Sequence, residues 1–578
     1  MVARSELHEN HEIARMQLKP LTFLVACGAM TAALAQNPLM VPPVFTGTTV
    51  DLDIQMGTHT FFEGVETETA GCNGPILGPT VILDKGDVVQ FNVTNNLMDT
   101  TTMHWHGFHV AAEDDGGPHN KIAPGGTWSP EFEIMDHAGT YWYHPHLHMM
   151  TNAHVSKGVA GMIWVRDETE QSLALPRTYG VDEWPMVLQT KAFDEFGQIV
   201  PNSNNDTEAM VNATIDAVAD IPAQLVRFHV LNGSSQRVFN LGLAGDLPFH
   251  MIATEGGLIG APLELTRLRL SPGERVEVVV DAAAFEGDTL QWMSFASEFS
   301  NGIYGATNPG MGMGMTMNGY TPNDLNGADF TLLTMAVGPA TENAVFELPA
   351  SLDPANANPW TTGDADFTRV ITMTPQSMGM NALNGNFLLN GAPFDMDVIN
   401  YTIPLDNVEI WNIVNSSPIG HPFHIHDVQF YILDRNGVAP APEETGRKDV
   451  VFVPAMTSAR FITAFEDFAD EDTPYMYHCH MLTHEDGGMM GQFVVVDPSS
   501  VAAADATEYA APFPVPARDQ VTFTHAGGAW SVYTVDGKKV ATGTSVSKQF
   551  TLSTVDWSNG LYIFESHGSS PQRFALEH

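Results

Sequence analysis

Eight histidines of this chain stand in four H-x-H pairs: His104-Trp105-His106, His144-Pro145-His146, His424-Ile425-His426 and His478-Cys479-His480. Side chains two apart on a strand point the same way. Each pair therefore offers two imidazoles to one point, and four pairs far apart in sequence can build a cage for several metal ions. The last pair has a cysteine at its centre, and the same parity turns that cysteine to the opposite side. This layout wires one metal centre to another.

Strand parity divides the ligands. His421 is three residues before His424 and faces away from His424 and His426, so it joins Cys479 on the far side. His484 lies five residues past Cys479, and Met489 five past that. His421, Cys479, His484 and a weak axial Met489 make the His₂Cys set of a blue-copper electron-transfer centre. The other eight imidazoles come with no carboxylate in their motifs, which suits copper. Zinc typically closes a site with four ligands and has no use for eight in one cluster. Eight suit three ions with open positions for a small oxidant. Cys479 is peptide-bonded to histidines of that cluster on both sides, which gives electrons a short covalent route. The remaining thirteen of 23 histidines, among them His109, His119, His137, His148 and His154, are read as ordinary core or surface residues, some of them supporting the ligands from behind.

The chain around these motifs reads as all-β. Val50–Ile54, Val88–Val93, Leu225–Leu231, Val276–Val280, Val408–Val414 and Gln492–Val496 alternate or run apolar like sandwich strands. Three strand-rich blocks emerge, 45–168, 183–340 and 368–497, parted by the loop-like seams Glu168–Gly180 and Leu348–Asp366. The first and third share an echo: a Gly/Asn-rich loop, a turn into a strand, then a histidine motif. The second has the same strand rhythm without the cluster and looks like a spacer of the same fold. An acidic balance of 24 Lys+Arg against 68 Asp+Glu, a net charge of −44, argues against nucleic acid or an anionic membrane as partner. Solubility explains that charge; a field that gathers cations is the sharper reading.

At this point the sequence resembles the three-domain multicopper oxidases of the laccase type. The four copper motifs stand as His104-Trp105-His106-Gly107, Trp142-Tyr143-His144-Pro145-His146, His421-Pro422-Phe423-His424-Ile425-His426 and the run His478–Met490. The resemblance covers roughly 45–497. It implies an all-β chain of three cupredoxin-like Greek-key β-sandwich domains, with His104 and His424 on a type 2 copper. It further implies His106, His144, His146, His426, His478 and His480 on a type 3 pair, and four copper ions in all. Asp115-Gly116-Gly117-Pro118, Leu389–Met396 and His484–Met490 look most like the bacterial copper-efflux and bilirubin-oxidase-like branch. There the carboxylates matching Asp115 and Glu485 pass protons to the oxygen-reducing cluster, which consumes them. As a plain alternative, Asp115 is a turn residue before two glycines.

The reductant is less constrained. O₂ is the expected oxidant, with a phenolic or aromatic donor of the laccase type. Met311, Met313, Met315 and Met317 alternate and would share one face of a strand, where thioethers suit Cu(I). Met373, Met378 and Met380 add a second small cluster. The alternative is a flexible glycine-rich hairpin with adaptable apolar packing. The copper-efflux oxidases carry an Asp and a Met just before the first His of the third motif, whereas this chain has Ser417 and Ile419 and lacks their long Met-rich insert. A broad laccase-like oxidase is therefore favoured, with cuprous oxidation as an alternative and copper sequestration without turnover as a reading of another class. Copper nitrite reductase, which also uses a blue copper, lacks the four paired-histidine motifs.

The two ends carry an address. Leu18–Ala35 reads as a secretory signal with cleavage after Ala35, and Met16 as the true start. Leu24-Val25-Ala26-Cys27 is a competing lipoprotein-like reading. No other stretch is long enough to span a bilayer. Cys72 has no obvious partner and is read as a buried small residue. After the 499–516 linker comes a neutral module, 518–578, of short strands around an Asp536-Gly537 turn and Asn559-Gly560. Val532–Val540, Asn559–Ile563 and Gln572-Arg573-Phe574 resemble the sorting domain of type IX secretion cargo. With the signal, this implies export to the periplasm, cell surface or medium, and secretion machinery as a partner; a small accessory β domain is the plain alternative.

Overall fold

The computed structural model describes residues 37–312, 315–497, 512–525, 527–534, 539–566 and 569–578. The expected signal segment with Cys27, as well as Met313, most of the linker and the Asp536-Gly537 turn, lie outside them. Among the described residues no helix is long and apolar enough to cross a membrane.

Apolar alternation decides the first sandwich. Thr49–Phe62 opens with Val50, Leu52 and Ile54 turned inward between exposed neighbours, and Val88–Asn95 repeats the pattern with Val89, Phe91 and Val93. These two strands pair in parallel, and Val65–Cys72 closes against the first of them. The facing sheet runs Val44–Thr46, Thr80–Asp84, Gly161–Arg166, Gly139–His144, His104–His106. Both inner faces share one core, in which Val81, Tyr141 and Ile163 meet Val50 and Phe91. Each fully buried side chain of this kind contributes about 1.5–3 kcal/mol. Cys72 is buried in the same core.

The second sandwich packs a six-stranded sheet on a seven-stranded one. The strand Asn37–Pro38 pairs with Ala217–Pro222 here, so the described chain begins in the second sandwich before it builds the first. Leu225–Asn232 is buried at every position. Val226, Phe228 and Val230 enter the core, while Arg227 and His229 face the other way, into a cluster with Glu170, Glu183 and Glu277. The 168–180 seam is thus more than a loop. It holds a one-turn helix, Glu168–Gln171, capped by Asp167, whose buried Glu170 also pairs with Arg177.

The third sandwich stacks Phe387–Leu389, Phe367–Pro375, Asn407–Asn415, Ser458–Phe465 and Tyr431–Arg435 on Tyr401–Pro404, Met490–Val496, Asp470–Cys479, His421–Ile425 and Val450–Val453. The C-terminal module forms a two-stranded and a four-stranded sheet around Val521, Phe523, Val532, Phe564 and Phe574.

The described members of the alternating methionine run, Met311, Met315 and Met317, lie on no strand. The described residues from 301 to 320 run in turns, bends and irregular backbone, and Gly312 takes φ +110°. Met311 is exposed, Met315 half-buried, and Met317 sits inside the third core with Tyr304 and Tyr320. The expectation of one shared methionine face fails because the interleaved glycines let the chain turn where period-two parity needs an extended backbone. Met373 likewise lies in the core, whereas Met378 and Met380 are exposed.

Candidate metal centre

Register brings the four pairs together two by two. His104–His106 runs antiparallel to Gly139–His144, with His144 opposite His104 and Trp142 opposite His106. His421–Ile425 runs antiparallel to Asp470–Cys479, with His424 opposite His478 and Phe423 opposite Cys479. Rings of the first and third sandwiches then stack on one another, His104 on His426 with centroids 3.9 Å apart and His106 on His424 at 3.8 Å. All eight imidazoles are at most 1% exposed. Burial first, then neighbouring imidazoles, holds His106, His144, His424, His426 and His480 well below the ordinary histidine range, leaving them neutral. Burial brings His146 down to about 3.

Where one ring nitrogen of a histidine is hydrogen-bonded, the bond tells which nitrogen is left for a metal. His104 Nδ1 donates to the carbonyl of Asp115 and His424 Nδ1 to that of Asp449, both at 2.8 Å. The Nε2 atoms of both are buried without a partner. His426 Nδ1 donates to Asp115 Oδ2 at 2.7 Å. His478 and His146 turn Nδ1 toward the Glu485 carboxylate, at 3.2 and 3.4 Å. The Nε2 atoms of His146 and His426 then lie 3.1 and 3.4 Å from His478 Nε2. His144 donates from Nδ1 to the Pro145 carbonyl at 2.9 Å. Its Nε2 and that of His480 lie 3.4 and 3.2 Å from His106 Nδ1. Where both facing nitrogens carry lone pairs, they repel at this distance unless a cation lies between them. The donors thus fall into two triads, His106–His144–His480 and His146–His426–His478, and one pair, His104–His424.

On the other side of Asp470–Cys479, the Cys479 thiol lies 3.5 Å from His421 Nδ1 and 3.7 Å from His484 Nδ1. A metal bonded at about 2.0 Å to imidazole and about 2.3 Å to sulfur puts those atoms roughly 3.6 Å apart. His421 is fixed from behind by Ser417 Oγ at 2.7 Å from Nε2. His484 rides on the short helix Leu482–Asp486, and burial takes it to about 3. Phe387 covers both rings, with centroids at 4.7 and 4.4 Å. Met489 is fully buried in the same core, and its carbonyl accepts from the Cys479 amide at 3.0 Å. Burial raises the Cys479 thiol far above its ordinary range, so without a cation it stays protonated.

Asp115 and Glu485, both almost wholly buried, stand directly behind the cluster. Burial works against a charge on Glu485, but the imidazoles of His146 and His478 outweigh it and hold the carboxyl well below its usual range.

Three neighbours of the site escape a reading by motif. Asp449 Oδ1 lies 3.2 Å from His106 Nε2, Arg275 grips the Asp449 carboxylate, and a Cβ on Gly273 would meet the His480 ring at 2.9 Å. Two of the three come from the second sandwich, so it is not a bare spacer. Their trace in the sequence is a charged residue at the mouth of an apolar strand, Asp449 before Val450–Val453 and Arg275 before Val276–Val280.

Comparison with known proteins finds one family, with relatives described as oxidases and as cell division proteins. Two family profiles, each described as multicopper oxidase, match residues 53–170 and 364–499. Multicopper oxidase mco of Staphylococcus aureus is 30% identical over 459 residues, which cover 77% of this chain and 88% of that protein. Cell division protein FtsP of Photorhabdus laumondii is 30% identical over 472 residues, covering 80% and 93%. Among solved structures, a laccase-like multicopper oxidase, CueO, from the lignin-degrading bacterium Ochrobactrum sp. superposes with a TM-score of 0.69 at 33% identity, covering 79% of this chain and all of that one.

Proposed function

The chain belongs to the multicopper oxidase family, and from that premise we propose that it couples one-electron oxidation of a small organic reductant to reduction of O₂ to water. The observation that carries this reading is the place of Cys479. Its thiol belongs to the His421–His484 group, while its two peptide neighbours belong to different triads, His478 to one and His480 to the other. His421, Cys479, His484 and Met489 would hold a type 1 copper. His104 and His424 would hold the type 2 ion, and the two triads one type 3 ion each. Copper supplies the one-electron chemistry, cycling between Cu(I) and Cu(II) under soft thiolate and borderline imidazole ligands.

The protein's own groups do the rest. His484, 7% exposed against none for His421, is the imidazole through which a donor at the surface reaches the buried thiolate. Asp115 and Glu485 accept protons and deliver them beside His426 and beside the His146–His478 pair, as a reaction that turns O₂ into water requires. The laccase-like relative, described as oxidising lignin model compounds and lignosulfonate, favours a phenolic donor. Sequestration without turnover would not require a covalent bridge between two separate copper sites.

A second reading, Cu(I) as reductant, is favoured by one observation. A cavity of about 380 Å³ beside Ser416 and Pro418 is lined by Met311, Met315, Met378 and Met456 from separate loops. Export, with the C-terminal module as its sorting signal, completes the proposal; a secreted form ending near the 499–516 linker would support it. The oxidase reading is tested by O₂ uptake of the copper-loaded protein with a phenolic donor. Loaded protein that consumes no O₂ with phenol or with Cu(I) would sink it.

A further inference from the structure

Two consecutive residues of the third sandwich meet two consecutive residues of the second with opposite charges. Lys448 Nζ lies 2.8 Å from both carboxylate oxygens of Glu255 and 3.2 Å from Glu274. Asp449 takes Arg275 in a bidentate pair at 2.5 and 2.7 Å. Arg275 also donates from Nε to the carbonyl of Thr140 and from Nη1 to that of Gly273. A pair buried this deeply costs much of its attraction in lost hydration and is weak support for stability by itself. What it holds is therefore the question.

Asp449 holds two imidazoles at once. Its carboxylate lies 3.2 Å from His106 Nε2, and its carbonyl accepts from His424 Nδ1 at 2.8 Å. The two rings come from different sandwiches and stack at 3.8 Å and 11°. His106 is the member of its triad whose Nδ1, not Nε2, faces the others. A neutral imidazole carries its proton on either nitrogen, and a carboxylate set against Nε2 keeps the proton there and frees Nδ1. The backbone leaves room for this arrangement: a Cβ on Gly107, at φ +92°, would come 2.5 Å from Arg275 Nη2 and 2.6 Å from Asp449 Oδ2.

We propose that Asp449, locked by Arg275 of the second sandwich, is a positioning residue for the three-ion cluster, setting the ligating nitrogen of His106 and holding His106 and His424 in one register. This rests on the cluster reading above. Asp427 and Asp136, which lie nearby on the His109 side, are bonded to His109 and hold neither ring.

The test uses the full copper-loaded chain and reads copper per chain, the type 2 electron paramagnetic resonance signal, the near-ultraviolet type 3 band and the blue band. Asp449→Ala is expected to keep the blue band while the cluster holds copper ~10- to 100-fold more weakly, the usual effect of removing a group behind a metal-binding histidine. Its type 3 band should be lost, because the substitution removes the carboxylate behind His106 and keeps the backbone carbonyl that holds His424. Arg275→Lys, which keeps the charge and replaces the planar fork, should shift the type 3 band without abolishing it. Lys448→Gln breaks the neighbouring ion pairs but none of the Asp449 contacts, so its type 3 band should stay intact even if it melts earlier. Wild-type type 3 bands in both Asp449→Ala and Arg275→Lys would overturn the proposal, as would equal loss in Lys448→Gln. A wild-type chain without type 2 and type 3 signals would instead overturn the cluster reading.

Discussion

Ser417 Oγ lies 2.7 Å from Nε2 of His421, and the same hydroxyl lies 2.8 Å from the carbonyl of Ile419. A carbonyl only accepts, so the serine donates there and must accept from the His421 Nε2–H. His421 therefore presents Nδ1 to the Cys479 thiol, with a neutral partner behind it. A charged acceptor behind a ligating imidazole makes it a stronger donor.

Ser417→Asp should consequently favour Cu(II) at the blue site and lower its reduction potential. The gap between a neutral and a charge-assisted hydrogen bond is about 1 kcal/mol, which for one electron is ~40 mV. Redox titration of the blue band reads this directly. A potential that rises or stays level would show that Ser417 does not tune His421.

Cys479→Ser should abolish the blue band and lower turnover to background, because the thiolate is both the chromophore and the bridge to His478 and His480. The eight H-x-H imidazoles keep their register in this variant, so cluster copper should remain. A variant that stays blue would refute the assignment of Cys479.

Glu485→Gln and Asp115→Asn should each slow O₂ consumption ~10²- to 10⁴-fold, the range for removing a positioned proton carrier. Anaerobic reduction of the blue copper by the same donor should be unaffected, since neither carboxylate stands on the His421–Cys479–His484 side. If the anaerobic step slows equally, the carboxylates act on the fold and not on proton supply.

The sequence made the site legible wherever parity governs. His104 and His106 sit two apart on one strand, so their common face follows from backbone geometry alone. The tautomers of His106 and His426 did not follow, because each is chosen by a partner hundreds of residues away: Asp449 for His106, Asp115 for His426. Arg275 and Gly273 escaped assignment for the same reason: their block carries no ligand of its own, and the charge before Val276–Val280 does not name its partner. Apolar alternation marked Val50–Ile54 and Val408–Val414 as strands. The same rule failed at Met311–Met317, where glycines free the backbone from the extended state that parity assumes.

The methionines frame the last prediction. Met378, Met456 and Met311 are 80%, 62% and 43% exposed, an unusual state for three apolar side chains around one cavity, and Met456 holds φ +57° there. Exposure of this kind marks a contact surface more often than a packing need. Thioethers bind Cu(I) through sulfur, whereas a phenol meets them only as apolar surface. Changing Met311, Met378 and Met456 together to Leu keeps bulk and hydrophobicity and removes the sulfur. Cu(I) oxidation should then fall ~10-fold or more in kcat/KM, about 1.4 kcal/mol of lost transition-state stabilisation. Phenol oxidation should stay within about twofold. Parallel steady-state assays with the two reductants give the comparison. Equal losses would mean that the methionines pack the surface loops, and equal retention would leave the phenolic reading alone.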